Sequence, residues 1–336
     1  MKRFPGMGWG RPPHLANLIS IGLAFLVVGC GSSTGPATLA PMTIGVFNGP
    51  YPLQLAVNKG YFGSLKVTTV VQDSGPAALP LMVAGQLQGS AEISQPPVDI
   101  AFDKGIAVRV VWIDDESPDN LIARPQSGIT DARSLKGKKI GLPGGSLSES
   151  LLSAYLQTAG LTLSDIQLAD LAPENLPSAF SAGAVDAVWA AEPQADAIAK
   201  AGGKVIVEHY DFNFTIVPKS FIDQHADSVQ QFVCGLYKAH VRFFANQEST
   251  YQELATLAGM SVDSAKASLV NMAPADQATA HYLGTTTGTP SDRAQVFVDY
   301  GAWLVSQGKA TRAPTLQQAQ GFFDPSFAAK ASSGGC

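Results

Sequence analysis

The sequence has little charge, and most of that charge is negative. Charged residues make up 15% of the 336 residues, and the formal net charge at pH 7 is −5. The first 29 residues contain Lys2, Arg3 and Arg11 but no acid, so removal of this segment changes the net charge to −8. Because an acidic surface repels the phosphate backbone, we exclude an electrostatic nucleic-acid binder.

Catalytic and metal-binding motifs are also missing. The five histidines never reach the spacing of a metal site, and neither an HExxH motif nor a Walker loop occurs. Gly31–Gly35 satisfies the letters G-x-S-x-G, but no strand is predicted before it and no helix after it, so it is not a nucleophile elbow. The sequence therefore predicts no catalytic residues, no metal and no cofactor, and the protein is not expected to be an enzyme.

One apolar stretch stands out, and it lies at the N-terminus. Leu15–Val28 follows the basic residues and is too short to span a membrane comfortably; no later apolar run is long enough to cross one. Small residues precede Cys30 as in the bacterial lipobox, where the thiol is acylated and the leader is removed. We predict a signal peptide over 1–29, a lipid on Cys30 and a flexible stalk over 30–41. The alternative is an ordinary signal peptide followed by an accidental cysteine.

Cysteine is scarce, with three in the chain. If Cys30 carries a lipid, Cys234 and Cys336 remain as an even pair in an oxidising compartment, where a disulfide persists. Such a bridge closes a loop of about 100 residues and contributes about 4–5 kcal/mol in the entropic account of disulfides. The alternative is a buried thiol on a helix and a separate thiol at the C-terminus.

The rest of the chain alternates β-rich runs with helical segments. Strands are predicted at 42–47, 65–71, 91–93, 107–113, 139–142, 166–170, 187–190 and 204–208. Helices are predicted at 52–59, 77–85, 146–159, 172–182, 193–201, 229–246, 249–258, 262–269 and 292–307. The alternation predicts an α/β fold with parallel-rich sheets covered on both faces. Ile44–Pro50 also matches Ile140–Ser146 at an offset of about 96 residues, which suggests two lobes of related topology.

Four short motifs carry a family resemblance. Pro52–Phe62 reads PLQLAVNKGYF, Ser134–Gly141 reads SLKGKKIG, Ala182–Ala187 reads AGAVDA, and Ala191–Pro193 reads AEP. In this order, over residues 42–208, they resemble the nitrate/sulfonate/taurine-type (SsuA/TauA/THI5-NMT1-like) solute-binding proteins of ABC importers.

The resemblance implies a bilobal periplasmic-binding-protein fold of type II, with two hinge crossings. Lobe 1 would combine 42–122 with the C-terminal helices of 217–336, and lobe 2 would span 126–208. The crossings would lie near 122–126 and 210–218. Such proteins close around a small solute and deliver it to the permease and ATPase subunits of an importer. We therefore expect an extracytoplasmic monomer, anchored to the cell membrane by its lipid.

In this fold, four loops at the carboxyl ends of strands should meet the solute. The candidate ligand-binding residues in these loops are Asn48, Gly49, Tyr51, Ser94, Gln95, Gly145, Ser146, Ser148 and Glu192. Gly144–Ser146 precede a helix, so their N–H groups lie at the positive end of its dipole and suit an anionic oxygen. Ser146 could equally act only as the N-cap of that helix.

The loops contain no Lys or Arg, so an anion would depend on helix dipoles and neutral donors. Glu192 could pair with an ammonium group, or simply supply favourable charge at the helix start before Pro193. Related proteins usually carry an aromatic residue before this Glu-Pro, whereas this chain has Ala191. These features favour a sulfonate- or taurine-like anion or zwitterion. The alternatives are a binder of an aromatic solute of the thiamine-pyrimidine or riboflavin type, or an enzyme of pyrimidine or menaquinone biosynthesis on the same fold.

Overall fold

A computed structural model describes residues 38–47, 49–72, 74–269, 272 and 293–336. The expected signal peptide, Cys30 and residues 31–37 of the expected stalk lie outside the described residues. Within the described part of the chain, no helix combines the length and the apolar character needed to cross a membrane. The described residues from Leu39 to Cys336 form a single compact unit.

Two mixed sheets of five strands each organise this unit. The strands are β1 Met42–Val46, β2 Val67–Val71, β3 Gly89–Ile93, β4 Val108–Ala123, β5 Lys139–Leu142, β6 Gln167–Asp170, β7 Ala187–Ala191, β8 Lys204–Val207 and β9 Tyr210–Pro218. Sheet 1 has the order β2-β1-β3-β9-β4, and sheet 2 has the order β8-β4-β7-β5-β6. The strands β1, β2 and β3 run parallel, as do β5, β6 and β7, whereas β4 and β9 run against their neighbours.

Helices cover both sheets. They are α1 Pro52–Asn58, α2 Ala78–Val83, α3 Pro96–Asp103, α4 Leu147–Gln157, α5 Leu176–Ser181, α6 Gln194–Lys200, α7 Lys219–Ala245, α8 Gln247–Ala258, α9 Val262–Ser268, α10 Ala294–Ser306, α11 Leu316–Gln320 and α12 Ser326–Ser332. The bilobal, helix-flanked architecture expected from the sequence is confirmed. Helix α3 was not expected, because it begins with two prolines; proline suits the first turn of a helix, where its missing N–H is not needed.

The long strand β4 belongs to both sheets. Val108–Pro118 pairs with β9 in sheet 1, and Asp119–Ala123 pairs with β7 and β8 in sheet 2. The chain therefore changes sheets between Pro118 and Asp119, earlier than the expected crossing near 122–126. The other expected crossing, 210–218, is itself the strand β9. The part of β4 from Asp114 to Asp119 is an acidic run that contains a proline, and such a run has low β propensity. The local sequence therefore does not reveal that this part of β4 pairs with neighbouring strands.

The C-terminus is attached to the core of lobe 1. Helix α7 packs against sheet 1, and its Phe232 stacks on Phe62 with ring centroids 5.3 Å apart. Cys234 of α7 and Cys336 form a disulfide with their Cα atoms 5.5 Å apart. The structure thus brings together the two cysteines that the sequence left as a pair, 102 positions apart.

Candidate functional site

A cavity of about 410 Å³ lies between the carboxyl ends of the strands of the two sheets. Its walls come from both lobes: Phe47, Ser74, Gly75, Pro76, Glu92, Ile93, Ser94, Pro96, Pro97 and Asn213 on one side, and Pro143, Gly144, Gly145, Ser146, Leu147 and Pro173 on the other. Among the candidates from the sequence, Ser94, Gly145 and Ser146 line it. The described lining contains one acid, Glu92, and no lysine or arginine.

The first loop contributes less than the sequence suggested. Asn48 lies outside the described residues, and Gly49 and Tyr51 are not among the residues that line the cavity. Tyr51 folds over Gly49 so closely that a Cβ on Gly49 would lie 2.4 Å from its ring. Tyr51 is also the residue directly before α1. In this position Tyr51 packs on its own loop at the start of α1.

Gln95 faces a different cavity from its neighbour Ser94. It is 2% exposed and lines a cavity of about 480 Å³ between α4 and α10. Its Oε1 has no hydrogen-bond partner among the described residues. The leucine Leu147 lines both cavities, so the N-terminus of α4 separates them.

Ser148 is committed to an internal contact. Its hydroxyl donates to Oδ2 of Asp119 at 3.0 Å, and both residues are buried. Burial raises the pKa of Asp119 to about 7, against the lowering effect of this hydrogen bond. Since Asp119 stands where β4 changes sheets, the bond joins α4 to the crossing. The sequence indicated Ser148 as a ligand donor and did not indicate Asp119.

Glu192 caps a helix. Its Oε2 accepts the N–H of Asp196 at 3.0 Å, in the first turn of α6. Burial raises the pKa of Glu192, and the hydrogen bond from Asp196 opposes this shift. Glu192 is not among the residues lining either cavity between the lobes. The arrangement matches the alternative of favourable charge at a helix start.

The glycine loop before α4 is already bound by carboxylates of the protein. The N–H of Gly144 donates to Oδ1 of Asp170 at 2.8 Å, and that of Gly145 donates to Oε2 of Glu149 at 2.5 Å. The expectation that these two N–H groups are open to an anion is therefore wrong. The physical reason is that nearby acids compete for the same donors.

Ser146 is the polar group that this loop leaves for a solute. It precedes α4 but makes no side-chain cap bond, and its buried Oγ has no hydrogen-bond partner among the described residues. Among the described residues, no side-chain cap from Ser146 satisfies the first-turn N–H groups of α4, so a partial positive charge remains at this end of the helix. An unpartnered hydroxyl and a helix N-terminus thus lie together in one wall of the cavity.

The structure also places a cation beside the loop, which sequence reasoning missed. Nζ of Lys309 lies 3.1 Å from both carboxylate oxygens of Glu149 and 4.9 Å from the ring centroid of Trp303. It is 4.0 Å from the position that a Cβ on Gly145 would take. Lys309 is 160 residues from Glu149 in sequence, so no local pattern could reveal the contact.

Comparisons with known proteins agree with this architecture. Residues 50–250 match the model of the family described as NMT1/THI5 like. A Bacillus subtilis relative named "Putative aliphatic sulfonates-binding protein" is 30% identical over 242 residues, covering 67% of this chain and 72% of the relative.

Two solved structures share the fold at low sequence identity. The periplasmic aliphatic sulphonate binding protein SsuA from Escherichia coli aligns with a TM-score of 0.68 and 19% identity, covering 83% of this chain and 96% of SsuA. The desulfurization enzyme DSZB aligns with a TM-score of 0.60 and 14% identity, covering 88% of this chain and all of the enzyme. The fold alone therefore does not separate a binding protein from an enzyme. The family match and the Bacillus relative together establish that this chain belongs to the NMT1/THI5-like family.

Proposed function

We propose that the protein is the extracytoplasmic solute-binding component of an ABC importer, and that it holds a small sulfonate- or taurine-like solute between its lobes. The observation that carries the proposal is the cavity of about 410 Å³ whose walls come from both sheets. A solute there bridges the lobes, so its binding favours their closure. The sulfonate-binding names of its relatives support the chemical class.

The charge of the site supports an organic anion or zwitterion over a small hard anion. The anionic end of the solute would accept a hydrogen bond from the Ser146 hydroxyl and would lie at the positive end of the α4 dipole. Ser94 would contribute from lobe 1. Glu92 adds a negative group to the same lining, which suits a solute that also carries an ammonium group.

The membrane anchor and the importer are further parts of the proposal. Cys30 would carry the lipid, residues 30–41 would let the lobes reorient, and the permease and its ATPase would receive the solute from a monomer. Labelled palmitate should be incorporated into the wild-type protein in cells and not into Cys30→Ser. Equal labelling of both proteins contradicts the anchor and leaves the cavity chemistry untouched.

A solute panel tests the function. Taurine, ethanesulfonate, nitrate, a thiamine-type pyrimidine and riboflavin should be added separately to the purified protein, and the melting temperature recorded. A bound solute stabilises by mass action, giving about 2.7 kcal/mol at a hundredfold excess over Kd. Taurine or ethanesulfonate should raise the melting temperature most; stabilisation by the pyrimidine or riboflavin alone refutes the sulfonate class.

The same experiment separates a binder from an enzyme, the alternative that the DSZB fold keeps open. Solute recovered after incubation should be chemically unchanged and bound at one molecule per chain. Catalytic conversion of the solute would overturn the transport proposal.

The role of Glu192 is tested with the variant Glu192→Gln, which keeps an acceptor for the N–H of Asp196 but removes the charge. A loss of solute binding without loss of stability in this variant would identify Glu192 as a ligand of the solute.

A further inference from the structure

Helix α10 belongs to lobe 1 but contacts the ligand loop of lobe 2. Its buried Ala294 and Phe297 join the core around sheet 1. One turn later, Tyr300, Trp303 and Leu304 pack against Leu147 at the start of α4. Helical spacing therefore directs the first turn of α10 into its own lobe and the next turns across to the other lobe.

Two polar contacts accompany this apolar cluster; one ends at Gly145 and the other at Glu149, the residue that binds the N–H of Gly145. The hydroxyl of Tyr300 donates to the carbonyl oxygen of Gly145 at 3.1 Å. Lys309, which follows α10, holds the carboxylate of Glu149, and that carboxylate accepts the N–H of Gly145. The acceptor and the donor of one residue in the ligand loop are thus both fixed by contacts that depend on lobe 1.

Gly145 is a position where such control has an effect. Its φ of +72° lies in the left-handed region that favours glycine, so the neighbouring peptide groups turn sharply there. Ser146, which lines the cavity, is the next residue. A shift of the Gly145 peptide therefore re-aims the Ser146 hydroxyl and the start of α4.

We propose that Tyr300 and Lys309 are positioning residues that hold Gly145, and through it Ser146, in the solute-binding geometry only while the lobes are in contact. This inference rests on the proposed function. Separation of the lobes by bending at the β4 and β9 crossings breaks the Tyr300 and Lys309 contacts together and releases the loop. Solute binding and closure are then coupled, because the loop reaches its binding geometry only in the closed arrangement.

Hydrogen exchange of the loop tests the positioning without any solute. Tyr300→Phe and Lys309→Met should accelerate amide exchange in a peptide covering residues 143–151 and leave β5 unchanged. Lys309→Arg keeps a positive charge beside Glu149, so protection from exchange should remain close to that of the wild-type protein. Unchanged exchange in both the Tyr300→Phe and the Lys309→Met variant overturns the proposal.

Solute kinetics test the coupling. With ethanesulfonate as probe, each variant should raise koff by about two- to tenfold, the effect of one lost hydrogen bond or partly exposed ion pair, with little change in kon. In the double variant, koff should rise by less than the product of the two single fold increases, since both residues act through Gly145. If the variants change kon and leave koff unchanged, the proposal that the Tyr300 and Lys309 contacts form on closure is contradicted.

The chain offers a matched control among residues that line neither cavity between the lobes. Lys266 lies 5.8 Å from the ring centroid of Tyr251 and pairs with Glu248 at 2.8 Å, so the same three residue types meet there between α8 and α9. Tyr251→Phe and Lys266→Met should change neither exchange at 143–151 nor koff. If the Tyr300 and Lys309 variants accelerate exchange at 143–151 while no sulfonate binds, the positioning role stands and the proposed function fails.

Discussion

Replacement of Ser146 by alanine should separate solute binding from protein stability. Ser146 lines the cavity, its buried hydroxyl has no hydrogen-bond partner among the described residues, and it makes no cap bond with α4. Its removal therefore deletes no internal hydrogen bond, and we expect the free energy of unfolding to change by less than about 0.5 kcal/mol. A hydrogen bond to a charged oxygen contributes about 1.5–3 kcal/mol, so the Kd for a sulfonate should rise roughly 10- to 100-fold.

Ser261 provides the opposite case. It is the N-cap of α9, and its hydroxyl accepts the N–H of Ser264 at 3.1 Å. Ser261→Ala should cost about 1 kcal/mol of stability, lowering the melting temperature by roughly 2 °C, and leave the Kd unchanged. Isothermal titration with ethanesulfonate and thermal unfolding of both variants supply the measurements. Wild-type affinity in Ser146→Ala, at wild-type stability, would refute the placement of the anionic group at the start of α4.

Three further predictions concern stability and charge. Cys336→Ser opens the disulfide to Cys234 and should cost about 4–5 kcal/mol in the entropic account, measured as a lower urea midpoint with a steeper slope, because the unfolded chain without the bridge is less compact; an unchanged midpoint means that the bridge is absent from the native protein. Asp119 has a folded pKa of about 7, above its unfolded value, so the folded state keeps a proton that the unfolded state loses. Stability should therefore fall as pH rises from about 4 to 7, and Asp119→Asn should flatten that part of the pH profile; a wild-type profile in the variant would contradict the raised pKa. Asp170→Asn keeps an acceptor for Gly144 but removes a negative charge beside the loop, so sulfonate affinity should rise about two- to fivefold at low salt and converge with wild type at 1 M salt.

Much of the fold could be predicted from local sequence, because most helices and strands follow local patterns of residue types. Each of the eight predicted strands overlaps an observed one, since β-branched runs between turn residues mark them directly. The extension of β4 beyond Ile113 was not predicted, because it is held by pairing with β9 and not by its own composition. Strand β9 was not predicted either, although Tyr210–Pro218 reads YDFNFTIVP and is rich in strand-forming residues, because the family resemblance places a crossing there.

The site was harder to predict than the fold because its decisive contacts join distant residues. Ser94, Gly145 and Ser146 could be chosen from strand ends and turn chemistry, and they do line one cavity. The N–H of Gly145 is bound by Glu149 only four residues away, but the contact of Glu149 with Lys309 depends on how α10 crosses to lobe 2. No pattern within either segment encodes that crossing.

The bonds within the glycine loop set a condition on how the solute gains affinity. Gly144 and Gly145 give their N–H groups to Asp170 and Glu149, so the loop gains rigidity and loses two donors. What lobe 2 offers an anion is then Ser146 and the first turn of α4. A sulfonate has three oxygens to satisfy, and a buried oxygen without a donor costs free energy comparable to a lost hydrogen bond. Lobe 1 must supply the remaining donors, so appreciable affinity requires both lobes to contact the solute, and binding energy is gained on closure.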